Sequence, residues 1–144
     1  MSQAFQGGTW QSPTWQGPTL QGQCLCGSVR YQVQGPSESY TVCHCSQCRR
    51  QSGHQWASGQ CKDEDLVITG DTLSWYRSSQ TAKRGFCSAC GSFLFWAMDG
   101  EGKTSFSLGS LDNPTGLALE KHIFVADKGD YYQIKDDLPQ DANG

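Results

Sequence analysis

Three thiols fall within six residues of this chain, in Cys43-His44-Cys45-Ser46-Gln47-Cys48, and two guanidinium groups, Arg49 and Arg50, follow at once. Thiolates this close together are soft ligands that can share one metal ion. Three of them leave a tetrahedral zinc one position short. Either another protein group closes the site, or the position stays open to water or substrate. Which of these holds decides whether the stretch is structural or reactive.

Four further cysteines stand in two pairs, Cys24-x-Cys26 and Cys87-x-x-Cys90. The second has zinc-knuckle spacing, in which a turn presents both sulfurs to one metal. Gly27 and Gly91 free the backbone to point amides at the thiolates, which lowers the cost of burying their charge. A pair plus a pair makes a closed, structural four-thiolate site. It would tie the first strand to a hairpin far downstream and make metal binding part of folding. Disulfides fit poorly, because the clustered cysteines are odd in number and closely spaced. An iron–sulfur cluster would use the same ligands. The split spacing suits two separate tetrahedra better, so zinc is the expected metal, two ions per chain. His44, flanked by two ligands, is expected to point away from their metal. Cys61 stands alone and reads as an incidental free thiol.

The elements that must position these groups are short. Val29 to Gln34 alternates apolar and polar residues, the pattern of a half-buried strand. Tyr40-Thr41-Val42 leads into the three-thiol loop, and Ser46 is placed to cap a helical turn that runs to about Ser52 and stops at Gly53. Strands are expected at Leu66 to Ile68, Leu73 to Tyr76, Phe93 to Trp96, Thr104 to Leu108, Leu117 to Leu119 and Ile123 to Val125. Glycine punctuation and no long amphipathic helix make the chain mainly β. Trp56, Trp75 and Trp96 read most simply as core, or as the wall of a pocket.

Residues 1 to 19 form a low-complexity tail in which Thr-Trp-Gln recurs at Thr9 and Thr14, and a single domain follows from residue 20 to 144. Trp10 and Trp15 either belong to a flexible extension or pin the tail to the domain or a neighbouring chain. The apolar fraction is 36% and glycines number 17, so the core should be modest and metal cross-links helpful. The formal net charge is −3 with no basic run, which speaks against a nucleic-acid partner. Neither a signal peptide nor an apolar run long enough for a membrane span is visible, so the expected location is the cytoplasm, where thiols stay reduced.

Gly22-x-Cys24-Leu25-Cys26-Gly27-x-Val29-Arg30-Tyr31, Cys43-His44-Cys45-Ser46-x-Cys48-Arg49-Arg50 and Phe86-Cys87-x-x-Cys90-Gly91-Ser92 resemble the glutathione-dependent formaldehyde-activating enzyme family. Gly109-Ser110-Leu111-Asp112-x-Pro114, His122-Ile123-Phe124-Val125 and Asp137-Leu138-Pro139 extend the likeness over about residues 20 to 140. The resemblance implies a β-tent of small antiparallel sheets around zinc. It implies a structural zinc on Cys24, Cys26, Cys87 and Cys90, and a second on Cys43, Cys45 and Cys48 with an exchangeable fourth position. The implied reaction is the condensation of formaldehyde with glutathione to S-hydroxymethylglutathione, a carbon–sulfur lyase activity. The same family holds a vertebrate centromere-associated protein, so the fold alone does not carry the reaction.

Three site residues outside the clusters are candidates for substrate contact. Arg49 and Arg50 could attract the glutathione carboxylates, or simply offset the charge of the triad. His54, just past the triad helix, could shuttle a proton, or be a hydrogen-bonded structural histidine. Arg84 is expected near the Cys87 knuckle, and His122 is expected to be satisfied by backbone. The competing function is a binding or scaffold module with two structural zincs; a thiol redox or metal-buffering protein is a third reading.

Overall fold

The computed structural model describes residues 15–144, so Trp10 and the first Thr-Trp-Gln unit lie outside the described part. The chain is mainly β, with two sheets and one α-helix among the described residues. Among the described residues no helix is long and apolar enough to cross a membrane.

The smaller sheet joins β1 (Leu20–Gln23), β2 (Arg30–Val33) and β5 (Leu66–Thr69), all antiparallel. The larger sheet has seven strands. These are β3 (Ser37–Cys43), β4 (Trp56–Lys62), β6 (Leu73–Arg77), β7 (Ala82–Cys87), β8 (Phe93–Met98), β9 (Lys103–Ser107) and β10 (Lys121–Ile123), in the order β10-β3-β4-β9-β8-β7-β6. Among the described strands only β10 departs from the antiparallel expectation: it pairs parallel with β3. A long return connection permits that, where a hairpin would not.

The core fills the space between the sheets. Val29, Tyr31 and Val33 face Leu94, Phe95, Phe106 and Cys61, all buried. Tyr31 meets the Phe95 ring edge-on at 5.0 Å, and its hydroxyl donates to the Ser107 carbonyl at 3.1 Å. Side chains alternate across a strand, so each core residue of the large sheet has neighbours aimed the other way. Thr41 and Cys43 on β3, Trp56, Ser58 and Gln60 on β4, Ser105 on β9, Trp96 on β8 and Arg84 on β7 all line one cavity. The outer face of this sheet is therefore the wall of a site.

Helix α1 (Ser46–Ser52) follows the three-thiol loop. Its cap is Cys45 rather than Ser46, since the Cys48 amide donates to Cys45 Sγ at 3.3 Å. Gly53 ends it with φ 88°, as expected for a left-handed stop. Leu117 to Leu119 is not a strand: Gly116 turns the chain with φ 72°, and the Leu117 amide goes to Thr115 Oγ1. The strand expected at Ile123 to Val125 begins earlier, at Lys121, and stops where Phe124 takes φ 56°. Trp75 is not core. It lies on the edge strand β6, 38% exposed, with Lys83 Nζ 4.4 Å over its ring. Trp15 lies over its own Gly17 and donates to the Pro18 carbonyl at 3.2 Å.

Candidate metal centres

Two cysteine clusters stand apart in the fold. The sulfurs of Cys24, Cys26, Cys87 and Cys90 all lie within 4.8 Å of one another, as do those of Cys43, Cys45 and Cys48. Cys24 and Cys26 hold their sulfurs 3.7 Å apart, and Cys26 and Cys87 hold theirs 3.8 Å apart. Four sulfurs about 2.3 Å from one zinc would stand about 3.8 Å apart, so this donor set fits a tetrahedral zinc.

Its arms come from the β1–β2 turn and the β7–β8 turn, which the Leu25 amide also joins by donating to Ser92 Oγ at 2.9 Å. Gly27 and Gly91, with φ 80° and 83°, let each turn close behind its cysteine. Hydroxyls then surround the sulfurs. Ser28 Oγ is 3.0 Å from Cys26 and 3.4 Å from Cys87; Thr72 Oγ1 is 3.3 Å from Cys87; Ser92 Oγ is 3.2 Å from Cys90. Burial alone would raise the Cys87 thiol. Ser28, Thr72 and the amides of Cys90 and Ala89 outweigh it and bring the thiol down to about 5. Ser92 lowers Cys90 to about 7. Ligands primed to ionise are what a metal needs. Sequence reasoning passed over these hydroxyls, although Cys-Gly-Ser occurs twice, at Cys26 and at Cys90, and in each copy the serine returns to its own cysteine.

The triad is built differently. Cys43 ends β3, Cys45 caps α1 and Cys48 is buried one turn into the helix. Hydrogen bonds from Cys43 and Cys48, then the amides of Cys48 and Gln47, pull the Cys45 thiol down to about 2. The same sharing pushes Cys43 up. Among the described residues no further histidine, cysteine, aspartate or glutamate joins the three. They open on a cavity of about 600 Å³, within the usual range of small-molecule sites. Trp56 and Trp96 form its aromatic wall, and Thr41, Ser58, Ser105 and Gln60 its polar one. The buried Trp56 Nε1–H has no partner among the described residues.

The model of the glutathione-dependent formaldehyde-activating enzyme family matches residues 19–127. The chain belongs to that family. It is similar to an uncharacterized lyase of Schizosaccharomyces pombe, 25% identical over 113 residues, which cover 77% of this chain and 82% of the relative. Among solved structures it is similar to a Rhodobacter sphaeroides protein at 26% identity and a TM-score of 0.53, covering 65% of this chain and 88% of that one. All seven clustered cysteines of this family member lie inside the matched region.

The other candidates stand elsewhere. Arg84 is not beside the Cys87 knuckle. An odd separation along β7 turns the two to opposite faces, and Arg84 Nη1 instead donates to Cys48 Sγ at 3.5 Å and to Gln51 Oε1 at 3.3 Å. Arg49, Arg50 and His54 do not line the cavity. His54 Nδ1 is hydrogen-bonded to the Tyr131 hydroxyl at 2.7 Å, and Arg50 is exposed. His44 is fully buried and points away from the thiols, toward Tyr132 and His122. Burial, then the charges of His122, His54 and Lys128, lowers it to about 4 and keeps it neutral. The His122 ring is satisfied by His44 and Asp136 side chains, not by backbone.

Proposed function

We propose that the chain is a zinc-dependent carbon–sulfur lyase with two zinc ions, which joins a small thiol to a small aldehyde at the triad cavity. Glutathione and formaldehyde, giving S-hydroxymethylglutathione, are the substrate pair that the family description supports. The lyase name of the Schizosaccharomyces pombe relative points the same way. The observation that carries the reading is the triad itself: three mutually close thiols, no fourth protein ligand among the described residues, and a cavity on the open side.

On this reading Cys24, Cys26, Cys87 and Cys90 hold a closed structural ion, and Cys43, Cys45 and Cys48 hold the reactive one. Zinc at the triad would supply a cation on which a thiol ionises at neutral pH. The substrate sulfur then adds to the aldehyde carbon. The new C–S bond forms as the carbonyl π pair moves to oxygen, which takes up the proton that the thiol gave to solvent. The wall does the positioning. Trp56 and Trp96 exclude water from one side, and the hydroxyls of Thr41, Ser58 and Ser105 offer hydrogen bonds to an aldehyde oxygen or to its hydrate. Arg50, exposed at the end of α1, attracts glutathione carboxylates through solvent, with Arg49 beside it. His54 relays protons at the surface.

A thiol adds reversibly to an aldehyde without a catalyst, so the test is acceleration of exchange. Carbon-13 formaldehyde, glutathione and zinc-loaded protein are mixed, and exchange between hydrate and adduct is followed by NMR. The expected result is faster exchange with the protein and background exchange with Cys45→Ser. No acceleration by the native protein would contradict the reading.

A further inference from the structure

Arg84 is 5% exposed, and its guanidinium stays charged in proteins. A buried cation needs a counter-charge. Among the described residues no carboxylate pairs with it; the Lys and Arg ion pairs are Arg77–Asp99, Lys103–Glu38 and Lys121–Asp141. Its contacts are Cys48 Sγ at 3.5 Å, the neutral amide of Gln51 at 3.3 Å and the Phe93 ring, whose centroid lies 5.4 Å away. Its Nε–H is buried without a partner. An aromatic face attracts a cation but does not neutralise it. The remaining source of negative charge is the thiol cluster that Cys48 belongs to.

The backbone fixes this contact. Arg84 lies mid-strand in β7, with Trp96 of β8 opposite it on one side and Tyr76 of β6 on the other. Phe93, which the guanidinium faces, stacks on Trp56 at 4.2 Å. The guanidinium is thus held between the triad and an aromatic pair.

We propose that Arg84 is a positioning residue whose charge belongs to the three-thiol centre and lets that centre take an anionic fourth partner, a substrate thiolate. This rests on the lyase reading given above. Three thiolates around a zinc dication carry one net negative charge, and a fourth makes two. Arg84 cancels one charge in each state. A site that must accept a thiolate and release it as product needs that relief; a closed four-thiolate site, held by hydroxyls and amides, does not.

Cobalt(II) is the probe, because its sulfur charge-transfer absorption reports each centre. In Arg84→Gln, which keeps a polar group but loses the charge, cobalt affinity at the triad should fall about 10- to 100-fold, while the Cys24/Cys26/Cys87/Cys90 centre keeps its affinity. Glutathione should then bind the triad cobalt at least about 10-fold more weakly, and neutral imidazole within about threefold of the native protein. Arg84→Lys, which keeps the charge, should hold both ligands within about threefold. If Arg84→Gln does not fold, Arg84→Lys carries the test: loss of glutathione binding with imidazole binding retained would overturn the proposal. So would an Arg84→Gln protein with unchanged triad affinity, or one that loses both ligands equally. If the native protein binds no thiol at all, the lyase reading falls, and the metal-affinity comparison still decides the role of Arg84.

Discussion

His44 Nε2 lies 2.8 Å from His122 Nδ1, across 78 residues of sequence. His122 Nε2 in turn reaches both Asp136 oxygens, at 3.0 and 2.9 Å, and His44 Nδ1 meets the Tyr132 hydroxyl. One set of protons satisfies the whole row. Tyr132 O–H donates to His44, His44 Nε2–H donates to His122, and His122 Nε2–H donates to the Asp136 carboxylate. Because Cys43 and Cys45 flank His44 and face the other way, this row fixes the loop that spaces two of the three thiols.

Substituting His122→Ala leaves a fully buried His44 nitrogen without its partner. The expected loss is about 1–3 kcal/mol of stability, read from the thermal midpoint of the zinc-loaded protein. Metal affinity at the triad should fall about 10-fold or more in a chelator competition. The four-cysteine centre should keep its metal. Equal weakening of both centres would show that the row does not act on the triad loop.

Cys24→Ala should cost the fold itself. Cys24 is 2% exposed, and its cluster ties the β1–β2 turn to the β7–β8 turn. Loss of zinc there should accompany loss of cooperative unfolding in circular dichroism. Cys45→Ala should leave a cooperative transition, since Cys45 is part-exposed and only α1 depends on it as a cap.

Gly70 has φ 107°, and a Cβ there would stand 1.9 Å from the Ser28 carbonyl oxygen. Gly70→Ala must therefore displace Ser28, whose hydroxyl serves both Cys26 and Cys87. A stability loss of about 1–3 kcal/mol is expected. Zinc release from the four-cysteine site in chelator should quicken, while the triad is untouched. A silent Gly70→Ala would contradict the close approach.

Cys61 gives an alkaline signature. Burial, then the charges of Asp65 and Asp63, pushes this core thiol from 9.0 up to about 12. Between those values the folded chain holds a proton that the unfolded chain has released, so stability falls as pH rises. The contribution is intact below about 9 and is lost progressively toward 12. Buried Tyr31 is raised for the same reason and adds to the fall. Thermal midpoints measured against pH should decline above about 9, and Cys61→Ala should flatten part of the decline. The thiol should also resist alkylation in the folded protein at about pH 8.5.

Cysteine spacing made both clusters legible, because ligand geometry is a local property. Alternation found β2, and the turn glycines found the ends of several strands. β4 escaped, and its composition explains why. Trp-Ala-Ser-Gly-Gln-Cys-Lys looks like a loop, because Ser58 and Gln60 face a cavity while Gly59 and Cys61 face the core. Gly59 brings no side chain to the inward face, so the strand lacks the apolar-in signal that marks a half-buried strand. Arg84 was misplaced for a related reason: its sequence neighbour is Cys87, but strand parity sends it to Cys48. The His44–His122–Asp136 row joins residues too far apart for any spacing to suggest.

The central claim is that one of two metal centres is open. Zinc X-ray absorption on the full protein, with and without glutathione, measures the sulfur shells directly. The expected result is two zincs per chain, one with four sulfurs throughout and one whose three sulfurs become four when glutathione is added. A single zinc, or two four-ligand centres that glutathione leaves unchanged, would contradict it.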